Sequence, residues 1–368
     1  MHIRAILFGT VLVVTPIAGT AYAQQSVAPA KREASAPAEI KAKLQAMRLE
    51  IRQKRLPYQV GYTRALEKPR SALLGDVDDP LFTPAYRTEV QRRATQLIEL
   101  DDNLRRDALL KNPRLRRTLP DIVIIQLACN AKSKSFSWRA AGKVTPVKDQ
   151  SCGNCWAFAA LGAFEANDRM RNNRTLDSSE QYINDCAKTD GGVDAGSCGG
   201  GLATKALEHI VRDGSVSEST IPYAGTNNTC TNPTTPQNAV AWGFVDPAVD
   251  FPTRAQIKEA LCQRGPLTTR MRVVSDNIFA FIGTGVYSEN VASDTDGGGH
   301  AVVIVGWSDT KNAWLIKNSW GTDWGDGGFG YLAYTSNRIG RHSAWIRAAS
   351  TFYPFGPISE LKARLFKR

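Results

Sequence analysis

Gln150-Ser151-Cys152-Gly153-Asn154-Cys155-Trp156-Ala157-Phe158 is the most informative segment of this chain of 368 residues. A cysteine attacks a carbonyl group efficiently only as a thiolate, so a catalytic cysteine needs a nearby cation, usually a protonated histidine, and often a helix N-terminus. Cys155 stands immediately before an apolar run of helical character, which predicts a helix from Cys155 to Met170. Cys155 is therefore a candidate nucleophile.

Two downstream residues complete a candidate catalytic set. His300 lies in Gly299-His300-Ala301-Val302-Val303, 145 residues after Cys155, and Asn318 follows 18 residues later in Lys317-Asn318-Ser319-Trp320-Gly321. A single histidine is more often a structural core residue than a catalytic one. The other three histidines of the chain are His2, His209 and His342. They lack both the flanking strand and the downstream asparagine, so His300 is the candidate base.

The pair Cys152 and Cys155 has other interpretations when it is taken alone. Cys-x-x-Cys also occurs as a redox pair and as half of a zinc site. No thioredoxin-like βαβ pattern surrounds the pair, and no second Cys/His pair with zinc spacing follows it. The sequence therefore predicts no cofactor and no metal.

At these spacings the chain resembles the papain-like cysteine proteases, whose signature Cys-Gly-[Ser/Ala]-Cys-[Trp/Tyr] is followed by His and Asn about 130 to 150 residues downstream. The resemblance covers roughly residues 133–350 and includes the runs 142–150, 198–201 and 318–325. It implies an α+β fold of two lobes, helical first and β-barrel-like second, with the active-site cleft between them. It also implies a cysteine endopeptidase with a thioester acyl-enzyme, made as an inactive precursor behind a helical propeptide.

The resemblance implies roles for further residues. Asn318 would orient the imidazole, and Trp320 would shield that hydrogen bond from solvent. Gln150 and the backbone N–H of Cys155 would form the oxyanion hole. Relatives have two residues between this glutamine and the first cysteine, whereas Ser151 stands alone here.

Substrate-binding residues also follow from the resemblance. Gly200 and Gly201 would hydrogen-bond the backbone of an extended substrate. The pocket for the substrate side chain two residues before the cleaved bond, called P2, would involve Leu202, Ala203, Gly298, Gly299 and residues after Pro266. Arg270 falls where relatives usually have a small apolar residue, so one hypothesis is tolerance of acidic P2 side chains. The alternative is a surface arginine on a strand.

The chain has seven cysteines, which fit one free nucleophile and three disulfides. By similarity to the family, the bridges of the first lobe are Cys152–Cys198 and Cys186–Cys230. Cys129 and Cys262 remain as a third pair, which rests on arithmetic alone. If that pair forms, Cys129 belongs to the mature protein and processing occurs before it, near Arg117.

Residues 1–23 have the pattern of a secretory signal, with a basic Arg4, an apolar stretch and the small-x-small ending Ala21-Tyr22-Ala23. A membrane anchor is the alternative, but Pro16 and Gly19 interrupt a stretch shorter than the about 20 apolar residues of a spanning helix. We expect cleavage after Ala23 and a soluble, secreted or periplasmic protein, in surroundings where disulfides persist.

Residues 24–118 are predicted to form a helical, basic propeptide, and residues 119–368 the peptidase domain. Apolar residues at helical spacing run from Ile40 to Ile51 and again from Val90 to Leu104. A basic cluster that looks exposed and cleavable follows at Arg114, Arg116 and Arg117. A propeptide that fills the cleft would inhibit the enzyme, and acid would release it as carboxylates become protonated.

The net charge of +11 does not indicate a nucleic-acid partner. Residues 24–118 contain 20 basic and 12 acidic residues, whereas residues 119–368 contain 25 and 23, so the positive charge lies upstream of the chemistry. The expected partners are protein or peptide substrates and the chain's own propeptide, with no nucleic acid, no membrane after signal removal, and a monomeric state.

Two other functions stay open. One is a catalytically silent papain-like binding protein. The other is a peptide ligase or transpeptidase, which would let an amine replace water at the acyl-enzyme. An exopeptidase is disfavoured because the sequence has no His-rich insertion that would block one end of a cleft.

Overall fold

The computed structural model describes residues 29–80, 82–114, 129–351 and 356–366. The predicted signal at residues 1–23 and the predicted processing point after residue 118 lie outside these ranges. Within the part of the chain that the structure describes, none of the helices combines the length and the apolar content needed to cross a bilayer.

The upstream part consists mainly of helices. They are α1 (Pro29–Ala34), α2 (Ala38–Lys54), α3 (Arg70–Leu73) and α4 (Pro84–Lys111), with strand β1 (Tyr58–Val60) after α2 and a 3₁₀ turn at Arg64–Glu67. Thr83 caps α4 by accepting a hydrogen bond from the backbone N–H of Tyr86, and Pro84 supplies the fixed φ that suits a first helical residue. The two runs of helical periodicity in this region thus correspond to α2 and α4.

The body that follows begins with helices and ends with strands. Its helices are α5 (Cys155–Asn172), α6 (Glu180–Cys186), α7 (Ala203–Arg212), α8 (Arg254–Arg264) and α9 (Gly356–Leu365). Its strands are β2 (Ser135–Ser137), β3 (Gly196–Ser197), β4 (Gly200–Gly201), β5 (Ala239–Phe244), β6 (Leu267–Val273), β7 (Phe281–Gly285), β8 (Gly298–Ser308), β9 (Ala313–Lys317), β10 (Phe329–Ala333) and β11 (Arg341–Ala348). The helices α5, α6 and α7 pack together as the first lobe.

Seven antiparallel strands form the sheet of the second lobe, in the order β10-β9-β8-β6-β11-β5, with β2 paired to β8. The outer strands β10 and β5 do not pair with each other in the described residues, so the sheet stays open. The predicted α+β, two-lobed fold is confirmed. Its second lobe is an open sheet rather than a closed barrel.

Helix α5 packs against β8 and β11 and is buried along nearly its whole length. Small residues permit the close approach: a Cβ added to Gly162 would lie 3.1 Å from the side chain of Val303. Asn173 ends the helix in a left-handed conformation with φ 54°. Because α5 begins at Cys155 and β8 carries His300 near its start, this packing brings the two candidate residues to one cleft.

Three backbone and helix contacts place the upstream part on the body. Strand β1 pairs antiparallel with β7. Residues 74–77, which we call the cleft segment, lie between β4 and the start of β8. Helix α4 lies against β5. The chain therefore crosses the cleft before it reaches α4.

Candidate active site

Cys155 is the first residue of α5, and all six other cysteines are in disulfides. Its Sγ atom accepts a hydrogen bond from the backbone N–H of Ala301, 3.4 Å away on β8. The positive end of the helix dipole lies at the same place. Both features favour a thiolate once the site is open.

His300 is buried on β8. Its Nε2 atom lies 2.9 Å from Oδ1 of Asn318, and that oxygen also accepts a hydrogen bond from the backbone N–H of Ser319 at 2.8 Å. An oxygen acceptor at this position assigns the proton of the neutral ring to Nε2. The basic nitrogen is then Nδ1, which is buried without a hydrogen-bond partner among the described residues.

Trp320 stacks on the imidazole of His300, with ring centroids 4.5 Å apart and an interplanar angle of 26°. The indole is fully buried, and its Nε1–H donates to the carbonyl oxygen of Leu73 at 3.2 Å. It therefore occupies the position that the predicted shielding role requires, and it also contacts the upstream part.

Gln150 points into the cleft even though Ser151 alone separates it from Cys152. Its Oε1 atom accepts a hydrogen bond from the hydroxyl of Ser319 at 2.6 Å, and its backbone N–H donates to the carbonyl of Ser319 at 2.8 Å. Its Nε2 atom donates to the carbonyl oxygens of Ala72, at 2.9 Å, and Cys152, at 3.0 Å. Ser319 thus holds the oxygen of the side-chain amide, while the nitrogen of the amide donates to a peptide carbonyl of the upstream part.

The cleft segment is held by backbone hydrogen bonds on both sides. The N–H of Gly201 donates to the carbonyl of Gly75 at 2.8 Å, and the N–H of Val77 donates to the carbonyl of Gly201 at 3.2 Å. On the other wall, the N–H groups of Gly75 and Asp76 donate to the carbonyl of Gly299 at 3.0 and 3.1 Å. The segment therefore uses two of the glycines that the sequence predicts to bind substrate.

Several contacts in the cleft leave no room for a side chain. A Cβ on Gly75 would lie 1.7 Å from the carbonyl oxygen of Gly153. A Cβ on Gly298 would lie 2.4 Å from the side chain of Leu74. The contact of Gly75 with the backbone requires glycine, whereas a Cβ on Gly298 would displace the end of the Leu74 side chain. The predicted wall residue Gly200 lies beside Val77, while Leu202 and Ala203 are buried where α7 begins.

Arg270 is buried on β6, so the alternative of a surface arginine is wrong. Its Nε atom donates to Asp76 at 2.6 Å, and its Nη2 atom donates to the carbonyl of Val77 at 2.7 Å and to Asp78 at 2.9 Å. Burial raises the pKa of Asp76, and the charge and hydrogen bond of Arg270 oppose that rise. A carboxylate of the upstream part thus occupies the place predicted for an acidic P2 side chain.

The structure contains three disulfides, Cys129–Cys262, Cys152–Cys198 and Cys186–Cys230. The bridge at Cys152 supports the turn before the candidate nucleophile, where the N–H of Gly153 donates to the carbonyl of Cys198 at 2.9 Å. Among the residues described, no group of three or more His, Cys, Asp or Glu side chains is placed to hold a metal ion.

In this closed form the candidate nucleophile and base are both uncharged. Burial raises the pKa of the Cys155 thiol to about 12, and the negative charge of Asp76 adds to the rise. Burial lowers the pKa of His300 to about 4, although the hydrogen bond with Asn318 opposes the change. Because a thiol is a much weaker nucleophile than a thiolate, burial in the closed form suppresses the reactivity of Cys155.

Two residues of the site were not predicted from the sequence. Ser319 fixes the side chain of Gln150. The sequence could have indicated it, because Ser319 directly follows Asn318 in the run 318–325. Asp76 pairs with Arg270 across 194 residues of chain, and no local pattern indicates that contact.

Comparison with known proteins gives a match over much of this chain. A family profile described as "Papain family cysteine protease" matches residues 132–349. Digestive cysteine proteinase 3 of Homarus americanus is 39% identical over 207 residues, which are 55% of this chain and 61% of that protein. Cathepsin K of Mus musculus is 35% identical over 207 residues, 55% of this chain and 60% of that protein. The matches thus span about three fifths of the length of these relatives.

A solved structure with a similar fold includes the upstream part. The digestive procathepsin L2 proteinase from the larval midgut of Tenebrio molitor superposes with a TM-score of 0.60 and 22% identity, over 84% of this chain and 90% of that one. At this identity the likeness concerns the fold.

The substitution Gly75→Ala should dislodge the cleft segment, because its Cβ would overlap the Gly153 carbonyl oxygen. We expect iodoacetamide to alkylate Cys155 at least about tenfold faster at neutral pH, since burial no longer suppresses the thiolate. Ser71→Ala, at an exposed position nearby, is the matched control and should react like the unaltered chain. Equal rates for the Gly75→Ala variant and this control would show that the cleft segment does not protect the thiol.

Acid should detach the cleft segment below about pH 3.8. Burial raises the pKa of Asp276, but Lys43, at 2.8 Å, and Arg70 lower it by more, so it lies below its ordinary value of 3.8. A depressed carboxylate pKa stabilises the closed form above the ordinary value, and that stabilisation is lost as the pH falls through the depressed one. Burial also raises the pKa values of Asp78 and Asp250, but Arg270 and Arg341 leave that of Asp78 lowered, and His342 and Arg87 leave that of Asp250 lowered.

Hydrogen exchange of residues 70–77 between pH 5 and pH 3 measures this release, after correction for the intrinsic pH dependence of exchange. A Cys155→Ala background prevents self-cleavage. Asp276→Asn should exchange faster at pH 5 and change less on acidification. Asp326→Asn breaks an exposed pair with Arg139 inside the body and should keep the original profile. If Asp276→Asn also keeps that profile, the ion pairs at this residue do not control release.

Proposed function

Because this chain belongs to the papain family of cysteine proteases, we propose that it is the precursor of a cysteine endopeptidase with Cys155 as nucleophile and His300 as its base. Asn318 would orient the imidazole, and Gln150 would supply an oxyanion-hole donor. The observation that carries the proposal is the convergence of these groups on a cleft already occupied by a peptide segment.

The chemistry begins when the cleft segment leaves. The thiol of Cys155 gives its proton to Nδ1 of His300, and the resulting thiolate attacks the carbonyl carbon of the scissile peptide bond. The oxyanion of the tetrahedral intermediate accepts hydrogen bonds from Nε2 of Gln150 and from the backbone N–H of Cys155. The imidazolium then protonates the departing amine, which leaves a thioester.

Water completes the cycle. His300 takes a proton from the water as it attacks the thioester carbonyl, and the thiol leaves with that proton when the carboxylic acid product departs. The Nε2–H of His300 stays bonded to Asn318 throughout, so the ring keeps one orientation while Nδ1 gains and loses its proton.

The position of the cleft segment within the cleft supports the role of the upstream part as an intramolecular inhibitor. The cleft segment fills the groove between Gly201 and Gly299, and the carbonyl of Ala72 takes the hydrogen bond that Gln150 would give to an oxyanion. Residues 1–23 would be removed on export, and the propeptide would begin at residue 24. Three disulfides fit a secreted or periplasmic protein, acting as a monomer on proteins or peptides.

The placement of Gln150 disfavours a catalytically silent binding protein. That alternative was motivated by the short loop before Cys152, and in the structure Ser319 nevertheless holds the Gln150 amide in the cleft. A ligase would use the same thioester, and no contact in the cleft favours an amine over water as the second substrate.

Labelling with a peptide epoxide that alkylates activated thiols tests the proposal. After acidification, the precursor should take up one equivalent, located at Cys155, and should hydrolyse a casein-derived peptide. Cys155→Ala should take up none. His300→Ala should fold but lose at least about 10³-fold in kcat/KM, because it lacks the base. A folded, open enzyme that neither reacts with the epoxide nor cleaves the peptide would contradict the peptidase assignment.

Substrates with an acidic P2 side chain should be preferred. Asp76 leaves Arg270 together with the cleft segment, and a substrate carboxylate can replace it. We expect a peptide with Glu at P2 to exceed its Leu counterpart by about tenfold or more in kcat/KM. Arg270→Met should lower the Glu value about 10- to 100-fold and change the Leu value little.

Arg338→Gln is the matched control for this test, because Arg338 pairs with Asp294 and donates no hydrogen bond to the cleft segment. It should preserve the preference for Glu. If the unaltered enzyme cleaves the Leu peptide as well as the Glu peptide, Arg270 does not select the substrate.

A further inference from the structure

Helix α4 presents one continuous face to the body. Its buried residues recur at intervals of three and four, at Arg87, Val90, Ala94, Leu97 and Asp101. Val90 packs in the buried apolar cluster that also contains residues of α5, β5 and β11. Ala94 and Leu97 pack in the other large buried apolar cluster of the protein. A helix with such a face is stabilised mainly by the surface that it covers. Its packing is that of a core element of the peptidase domain.

The C-terminal half of α4 supplies carboxylates to arginines of the body. Arg171 on α5 donates to Asp101 at 2.8 Å, and Arg347 on β11 donates to Asp101 at 2.6 Å and also pairs with Asp102. Within the described residues, every salt bridge of these two arginines is made to this pair of aspartates. Asp101 is 0% exposed and Arg171 is 6% exposed. Loss of α4 would leave two guanidinium groups without counter-charge.

The other end of α4 supports the site for the acidic side chain. Arg87 is 2% exposed and donates to Asp250 at 2.7 Å. Phe82, just before α4, packs edge-on against the ring of His342 at a centroid distance of 5.2 Å. Nδ1 of His342 lies 3.3 Å from Nη1 of Arg270. Residues at and just before the start of α4 thus contact Asp250 and His342, and His342 in turn contacts Arg270.

The chain between the cleft segment and α4 has the opposite character. Asp78 and Pro80 are exposed, whereas the residues that fill the cleft are largely buried. An exposed connection of this kind is where proteolysis concentrates. A cut here would free the cleft segment and leave the contacts of α4 intact.

We propose that α4 remains part of the enzyme after the cleft segment has left, and that the activating cleavage falls within residues 77–80 rather than after residue 118. The step is hydrolysis of one peptide bond, in which water supplies the oxygen of the new carboxylate and the hydrogen of the new amine. The proposal rests on the proposed peptidase function. It limits the inhibitory propeptide to residues before α4.

Native and denaturing mass spectrometry of the acid-activated, epoxide-labelled precursor tests this. The labelled chain should begin between residues 78 and 80 and should contain α4. A further cut near Arg117 would also support the proposal if an α4 peptide stays bound in the native spectrum and separates on denaturation. A labelled native species without residues 84–111 would overturn it.

A second arm separates this proposal from the peptidase assignment. The Cys155→Ala precursor is trimmed at acidic pH by added pepsin and weighed in the same way. Retention of residues 84–111 supports the proposal even if the unaltered chain takes up no epoxide, a result that would count against the peptidase function alone. Release of α4 after the cleft segment is removed would overturn the proposal.

Substitutions in α4 give an independent measurement on the activated enzyme. Asp101→Asn leaves Arg171 and Arg347 without their shared carboxylate, so the melting temperature should fall by roughly 5 °C. Glu99→Gln, at an exposed position of the same helix, should leave it unchanged. Equal melting temperatures for the two activated variants would mean that α4 no longer contributes, and the proposal would fail.

Discussion

The packing of α5 against β8 is the contact on which the rest of the site depends. A Cβ on Gly162 would lie only 3.1 Å from the side chain of Val303, and the backbone N–H of Ala301 reaches Sγ of Cys155 at the start of the helix. The nucleophile and the residue beside the base are therefore fixed by the same helix–sheet contact. Since acyl transfer is sensitive to displacements of about 1 Å, a rigid contact between the lobes matters more than the flexible loops around them.

The closed form replaces solvent with peptide groups that satisfy the same donors and acceptors. Gln150, Gly201 and Gly299 all bond to the backbone of residues 72–77, so these three residues keep hydrogen-bond partners when the upstream part binds. The exclusion of water has a second effect. It removes the solvation that a thiolate and an imidazolium would need, and the closed site holds both groups in their neutral forms.

Short sequence motifs predicted the residues of the candidate site better than they predicted which distant parts of the chain pack around it. The thiol at a helix start, the histidine and the asparagine each carry a short signature, so Cys155, His300 and Asn318 could be named from the sequence. The orientation of Gln150 could not, because it depends on a hydroxyl 169 residues away. Periodicity likewise predicted α4, but Asp101 is 70 residues from Arg171 and 246 from Arg347, and no pattern reports such partners.

The closure of the sheet also could not be predicted from local sequence. Whether a sheet closes depends on whether β5 and β10 meet, which is a property of the twist and length of all the strands together. The C-terminal tail had no predicted role. In the structure its helix α9 packs on α4, and Lys362 donates to the backbone carbonyl of Ala239 on β5 at 2.6 Å.

The open sheet has a consequence for how molecules of this protein meet one another. Strand β5 pairs with one neighbour, so one of its edges is unsatisfied by the sheet, yet all six of its residues are buried. Helices from both sides of the peptidase sequence, α4 and α9, provide that cover. An uncovered edge strand of apolar residues is a template for pairing with other chains. The two helices therefore cover one of the two outer strands of the sheet, where β-strand addition between molecules would otherwise begin.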